Sequence, residues 1–260
     1  MDSVTGWAPR PRDFVAVSGP DAEDFLQRML SNDVAALERG GAQDALLLTP
    51  KARVIAPVRV LRRAADDFLL LTEPGLGETL RGQLLRARFA AKVDVRPEEH
   101  RSFVVLGGRS GMEIADYPAP ARELLDAEPA GERLADEVLE RLRIEARTPA
   151  WGRELDDRVL PAEAGLVDRA VSLTKGCYPG QEPIARLHYR GHANRGLRVL
   201  EIEGDDPPGY DAEVRAGDRT VGRVTSAVLT NDGVVALGYV RTEVPQDALL
   251  SVEGHPARLA

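Results

Sequence analysis

The sequence predicts an α+β protein that ends in a small antiparallel β-barrel, and three observations predict it. Helical and strand-like patterns are mixed along the chain without regular β-α-β alternation. From Asn194 onward the pattern changes to short alternating strands separated by turn residues, which suggests a separate barrel unit. No repeat of about 20–50 residues and no low-complexity segment interrupts this division. With 260 residues the chain is long enough for a well-buried core in one large domain or two.

The elements follow in order. Phe14-Val15-Ala16-Val17 reads as a short strand, and Ser18-Gly19-Pro20 then opens a helix. Pro20 suits a first turn, and Asp21, Glu23 and Asp24 complement the helix dipole. Ala22, Phe25, Leu26, Met29 and Leu30 give this helix one apolar face, and Ser31-Asn32-Asp33 ends it. Strands follow at 45–49 and 54–60, with Pro57 pushing the second toward an edge or a bulge. Another strand covers 68–72, a helix runs from about Leu76 to Ala91, and strands lie near Val93 and at 103–106. Tyr117 to Pro129 reads as a proline-rich surface connection with a short helix. Ala135 to Ala146 is a helix with Ala135, Val138, Leu139 and Leu142 inward, and 165–173 is helical and leads into a cysteine motif. In the last unit Leu197–Ile202 is a strand, while Ala216-Gly217-Asp218 and Asn231-Asp232-Gly233 each join two more.

Composition narrows the function classes. The chain is 43% hydrophobic and 29% charged, and no run of about eighteen apolar residues exists to span a bilayer as a helix. Met1 to Arg12 contains no apolar signal region, and there is a single cysteine, so a reducing, cytoplasmic location is expected. A net charge of −8 argues against broad non-specific nucleic-acid binding by the whole surface, while leaving room for a local cationic site.

The sole cysteine lies in Lys175-Gly176-Cys177-Tyr178-Pro179-Gly180-Gln181-Glu182. A lone thiol makes no internal disulfide, so it is either a small core residue or a chemical handle. The setting favours the handle: Lys175 lies two residues upstream, and Gly180-Gln181-Glu182-Pro183 looks like a helix start. A nearby cation and a helix N-terminus both favour thiolate over thiol. The only lysines are Lys51, Lys92 and Lys175 among many arginines, so a compact ammonium beside Cys177 stands out.

Downstream, Arg186, His188, Arg190 and His192 recur at a spacing of two, which in an extended segment places them on one face. Arg195 and Arg198 continue the positive run, and no acid intervenes between Glu182 and Glu201. This is a candidate anion site, suited to a polyglutamyl chain or an RNA phosphate; the competing reading is a stripe neutralised by neighbouring carboxylates. His188 and His192 have no third ligand nearby, and with four histidines in the chain no metal site is expected.

Several segments taken together resemble the YgfZ-type folate-binding proteins, relatives of the glycine-cleavage aminomethyltransferase (T-protein). They include Val17-Ser18-Gly19-Pro20-Asp21-Ala22, Leu48-Thr49-Pro50-Lys51, Leu142-Arg143-Ile144-Glu145-Ala146 and Leu160-Pro161-Ala162-Glu163-Ala164-Gly165-Leu166. The lysine-glycine-cysteine block is the specific one, with Gly176, Tyr178, Gly180, Gln181 and Glu182 as its motif residues, and it separates the YgfZ type from the T-protein. The resemblance implies three modules around a central folate channel: residues 1–193 as two α+β modules of an aminomethyltransferase-like region, and 194–260 as the barrel. It implies tetrahydrofolate binding, a role in maintaining iron–sulfur enzymes and, in some members, modification of tRNA.

By the same resemblance Glu145 takes the place of the carboxylate that grips the pteridine, and Lys175 lies near a basic folate contact. Lys175, Arg186 and Arg190 join Glu145 as the candidate folate-binding set, and Cys177 with Lys175 form the candidate reactive pair. Ala146-Arg147 replaces the family's usual Ala-Gly, which predicts an altered local backbone. The T-protein carries an aspartate at the end of a turn that here reads Ala52-Arg53-Val54-Ile55-Ala56-Pro57. Neither Ala56 nor Pro57 transfers a proton, a loss worth on the order of 10²–10⁴-fold in rate, so ordinary aminomethyl transfer is not expected. Two readings follow. One is a folate-binding accessory factor for iron–sulfur proteins that uses the Cys177 thiol, with client or assembly proteins as partners. The other is a folate-dependent one-carbon transferase or demethylase acting on a small amine or tRNA, with another carboxylate in place of the lost one.

Overall fold

The computed structural model describes residues 4–260. In chain order its elements are β1 (Gly6–Pro9), β2 (Asp13–Ser18), α1 (Ala22–Met29), β3 (Ala42–Leu48), β4 (Val54–Ala64), β5 (Asp67–Thr72) and α2 (Gly77–Ala87). Then come β6 (Asp94–Glu98), β7 (Ser102–Leu106), β8 (Met112–Ile114), β9 (Ala121–Leu125), α3 (Asp136–Glu145), α4 (Val167–Ala170) and α5 (Gln181–Arg190). The last are β10 (Arg195–Ile202), β11 (Glu213–Ala216), β12 (Arg219–Thr230), β13 (Gly233–Arg241), β14 (Leu250–Val252) and β15 (His255–Leu259).

They form three units. A five-stranded antiparallel sheet runs in the order β3-β4-β5-β2-β6, and its alternate residues Val15, Val17, Val58, Val60, Phe68 and Leu70 join one apolar cluster. Helix α1 contributes Phe25 and Leu26 to that cluster, and α2 contributes Leu80 and Leu84, which is how both amphipathic faces are buried. A four-stranded sheet, β1-β7-β9-β8, packs Ala8, Val104 and Leu106 with Leu142 of α3. Strands β10–β15 close into the expected C-terminal barrel in the order β10-β13-β12-β11-β14-β15. A fourth cluster joins all this at the centre, where Leu46 and Leu48 of β3, Ile144 of α3, Ile184 of α5 and Tyr239 of β13 meet.

Three expectations are corrected. The 117–129 stretch is not a surface connection with a helix: it holds β9, an inner strand paired with both β7 and β8. Its alternation was masked because the inward residue Glu123 is charged, yet fully buried against Arg10 and Arg12. Of the edge or bulge expected at Pro57, strand β4 shows the bulge, being paired on both sides with its register shifted just ahead of that residue. Its Pro57 is tolerated because the pairing to β5 begins only at Val58, and a register shift precedes it near Leu47–Leu48. The helix at 165–173 shrinks to α4, since Ser31 reaches across to its end: Ser31 Oγ donates to Ala170 O at 2.6 Å, and Ser172 N donates to Ser31 O. Arg147 takes φ +56°, the left-handed conformation that a glycine would favour after a helix, so the expected backbone change is not seen. The amides of Arg147 and Thr148 accordingly donate to the carbonyls of Ile144 and Arg143 and close the end of α3.

Candidate functional site

The cysteine loop is built by helix termini. Gly180 caps α5 at φ +86°, a left-handed conformation, and lies so close to the 49–52 turn that a Cβ there would sit 2.7 Å from Thr49 O. Helix α5 therefore starts where the sequence placed it, its first turn seated on Thr49–Ala52. Cys177 precedes this contact and is exposed to solvent. Beside it Tyr178 is buried, its hydroxyl without a partner, and burial pushes its pKa up to about 12.

Lys175 turns the other way. Its side chain is buried, and Nζ donates to the carbonyls of Gln27 (2.5 Å), Leu30 (2.7 Å) and Asn32 (2.8 Å), at the end of α1. An ammonium has three donors, so none is left for a glutamyl carboxylate or for the sulfur. Its place is that of a C-terminal cap on α1, where a cation meets unpaired carbonyls and the negative end of the helix dipole. Burial lowers its pKa to about 8, with Asp33 pulling the other way. The ammonium also lies 5.2 Å from the centre of the Tyr178 ring. Lys175 thus anchors the backbone two residues ahead of Cys177. Asn32 and Asp33 serve this same region: Asn32 Nδ2 donates to Asp44 O and Arg169 O, and Asp33 accepts from Gln27 Nε2.

Arg186, His188, Arg190 and His192 do not share one face of an extended segment. Residues 181–190 are helical, so Arg186 and Arg190 align one turn apart while His188 points elsewhere and stacks edge-on with Tyr189 at 4.9 Å. Arg186 and Arg190 line a groove of about 520 Å³ between α5, the 50–53 turn and residues 160–162. Its walls include Leu160, Pro183 and Leu187, and its other cations are Lys51 and Arg53.

Glu145 lies elsewhere. At the end of α3 it lines a hollow of about 1,220 Å³ against the barrel strands, its nearest charged partner being Arg141 at 3.3 Å. Glu145 and the Arg186–Arg190 pair therefore belong to different cavities, and the convergence of all candidate folate contacts on one channel is not what the fold provides.

At the junction of the modules is a third, small cleft of about 60 Å³, lined by Pro57, Trp151 and a charge network that sequence reading missed. Arg59 pairs with Asp44 at 2.8 Å, Arg169 with Asp44 at 3.7 Å and with Asp116 at 2.8 Å, and Arg10 with Asp116 and Glu123. Arg12 joins Glu123 at 3.1 Å and Glu73. Burial by itself would raise the pKa of Asp116, but Arg10 and Arg169 outweigh it and hold the carboxyl far below the usual range. Glu123 is likewise held down by Arg10 and Arg12 against its burial. These residues are scattered from 10 to 169, so no local spacing could reveal them; an acid inside the β9 pattern was the one available signal.

Known proteins can now be set beside this geometry. The chain is 30% identical to the tRNA-modifying protein YgfZ of Edwardsiella ictaluri, over 95% of this chain and 86% of that one. The chain belongs to the YgfZ family. Its similarity to the YgfZ of Enterobacter sp. is 28% identity over 92% of this chain and 84% of the relative. An uncharacterized Haemophilus influenzae protein is 27% identical, over 87% of this chain and 85% of the other. No protein-family model matches. The aminomethyltransferase T of the glycine cleavage system from Bartonella henselae superposes with a TM-score of 0.83 over 98% of this chain and 84% of that structure, at 19% identity. The YgfZ chain thus has the aminomethyltransferase fold, and in it Pro57 lines the small cleft while Ala56 is buried in the core. No helix is long and apolar enough to cross a membrane. Among the described residues no three His, Cys, Asp or Glu side chains gather as a metal site.

Proposed function

We propose that this YgfZ-family chain is a folate-binding accessory protein that supports iron–sulfur enzymes and tRNA modification, with Cys177 as its working thiol. The observation that carries the reading is the solvent-exposed Cys177 in a loop pinned on both sides, by Lys175 under α1 and by Gly180 on the 49–52 turn. Such pinning has no purpose for a core thiol. The family's tRNA-modifying relatives motivate the tRNA link.

Of the central cleft and the Glu145 hollow, the second is the one that would take tetrahydrofolate, by room and by chemistry. Ligand pockets run from roughly 300 to 1,000 Å³; the central cleft at about 60 Å³ falls far short as its side chains stand, whereas the Glu145 hollow at about 1,220 Å³ has space. Glu145 would accept two N–H bonds from the pterin's amino-pyrimidinone edge, after releasing Arg141. Bound there, the folate would supply a one-carbon carrier.

The transferase reading is weaker, for a stated reason. The carboxylates that line the cleft with Pro57, namely Asp44, Glu73 and Asp116, are each paired with an arginine, and Asp116 is held ionised, so none stands free as a general acid. The test is a tetrahydrofolate titration of wild type and Glu145→Ala, with complementation of an iron–sulfur enzyme defect by Cys177→Ala. Unaltered folate affinity in the first variant, or full complementation by the second, would refute the corresponding part. Enzyme-like turnover of formaldehyde or a methylated amine with tetrahydrofolate would favour the transferase instead.

A further inference from the structure

We propose that the groove along α5 is the surface that holds a single-stranded stretch of RNA, its phosphates on Lys51, Arg53, Arg186 and Arg190 and a base on Tyr189. The proposal rests on the tRNA reading above and locates its contact face.

Charge comes first. The chain carries −8 overall, yet this groove gathers four cations and, among the described residues, no carboxylate lines it. Many arginines elsewhere are matched, Arg59, Arg62, Arg63, Arg143, Arg169 and Arg195 among them, each in an ion pair. Lys51, Arg186 and Arg190 form none among the described residues, even though Glu182 stands one turn before Arg186 on the same helix. Arg186 and Arg190, at i and i+4, repel each other along α5. An isolated stripe of this kind costs stability, and a bound polyanion relieves the repulsion.

Shape and chemistry then choose the anion. A compact phosphate needs one tight cluster, whereas these cations come from two different elements, the 50–53 turn and α5, with apolar residues such as Leu160 and Leu187 also lining the groove, which suits a strand whose charges are spaced and whose other face is not charged. Tyr189 is 66% exposed, three residues past Arg186 and next to Arg190, and it stacks only against His188, itself exposed. A cationic track beside an exposed aromatic ring is the arrangement that binds single-stranded nucleic acid, with stacking on the ring and phosphates on the cations. An acidic peptide would use the cations but leave Tyr189 without a role. The same helix begins at the Gly180 cap, so a strand lying along it runs toward the Cys177 loop.

The experiment measures fluorescence anisotropy of a labelled unmodified tRNA and of a short labelled oligouridylate, over a series of salt concentrations. It compares wild type, Arg186→Ser/Arg190→Ser, Tyr189→Ala and the control Arg219→Ser on the barrel. Thermal melts confirm that each variant is folded. Removing two phosphate contacts should weaken oligouridylate binding at least tenfold at low salt and flatten the salt slope by about 1.4. Tyr189→Ala should weaken binding roughly five- to a hundredfold with an unchanged slope, and Arg219→Ser should behave as wild type. Wild-type affinity in the double variant, with tRNA still bound, overturns the groove but leaves the tRNA reading standing. If wild type binds no tRNA at low salt, both fall. Competition by polyglutamate together with an inert Tyr189→Ala assigns the groove to an acidic polypeptide and overturns the RNA proposal.

Discussion

Replacing Lys175 by methionine separates an anchoring lysine from a chemically active one. The substitution keeps the apolar stem and removes an ammonium that donates to Gln27 O, Leu30 O and Asn32 O. Hydrogen bonds from a charged donor contribute roughly 1.5–3 kcal/mol each, so three give about 5–9 kcal/mol before costs. Against this stands the burial of the charge: a pKa lowered from 10.5 to about 8 corresponds to roughly 3 kcal/mol. The net loss is then about 2–6 kcal/mol, part of it from three carbonyls left dry. For a protein of this size that lowers Tm by roughly 5–15 °C. A pH signature accompanies it. The folded state binds the lysine proton less tightly than the unfolded state, so the burial penalty is present below about pH 8 and is relieved as pH rises toward 10.5. Wild type should therefore gain stability relative to Lys175→Met across that interval. Differential scanning calorimetry at several pH values reads both effects, and the labelling rate of Cys177 by a thiol reagent reads the loop. An unchanged Tm together with abolished complementation would refute the anchoring account and return Lys175 to a chemical role.

Other expectations follow from the same geometry. Gly180→Ala should slow growth in the complementation assay and lower Tm by several degrees, because its φ of +86° and the 2.7 Å approach to Thr49 O leave no place for a methyl; an unaffected variant would show that the α5–turn contact yields freely. Glu123→Gln removes the carboxylate that buried Arg10 and Arg12 share, leaving each with one partner, Asp116 and Glu73, and should cost about 1–3 kcal/mol in urea unfolding, an unchanged stability contradicting the network. His100 has its pKa raised by hydrogen bonds to Glu98 and Asp126, which outweigh its burial. Its contribution is thus full below about pH 6.5 and fades as pH rises through the higher folded value. His100→Asn should abolish that slope in the melting temperature, and a persisting slope would point to another group.

How much of this was legible in the sequence depends on how local the cause is. The C-terminal barrel, helices α1 and α3, and the start of α5 at Gly180 were readable because turn residues and apolar periodicity act over a few neighbours. The strand at 121–125 was not: its inward Glu123 is paid for by arginines more than a hundred residues away, and alternation scored on hydrophobicity alone passes over it. Arg186 to His192 was misjudged as extended because spacing by two ignores the helix that the Gly180 cap initiates.

By itself, then, the sequence determined the kind of chain this is and the identity of its one thiol, since motif, charge and periodicity are properties of neighbours. Only the tertiary structure decided which way those side chains face. It turned Lys175 inward to three carbonyls, left Cys177 in water, set Glu145 and the α5 arginines in separate cavities, and drew seven distant charges to one cleft. Such placements arise from burial and pairing between remote segments, where desolvation is balanced only once the whole fold has closed.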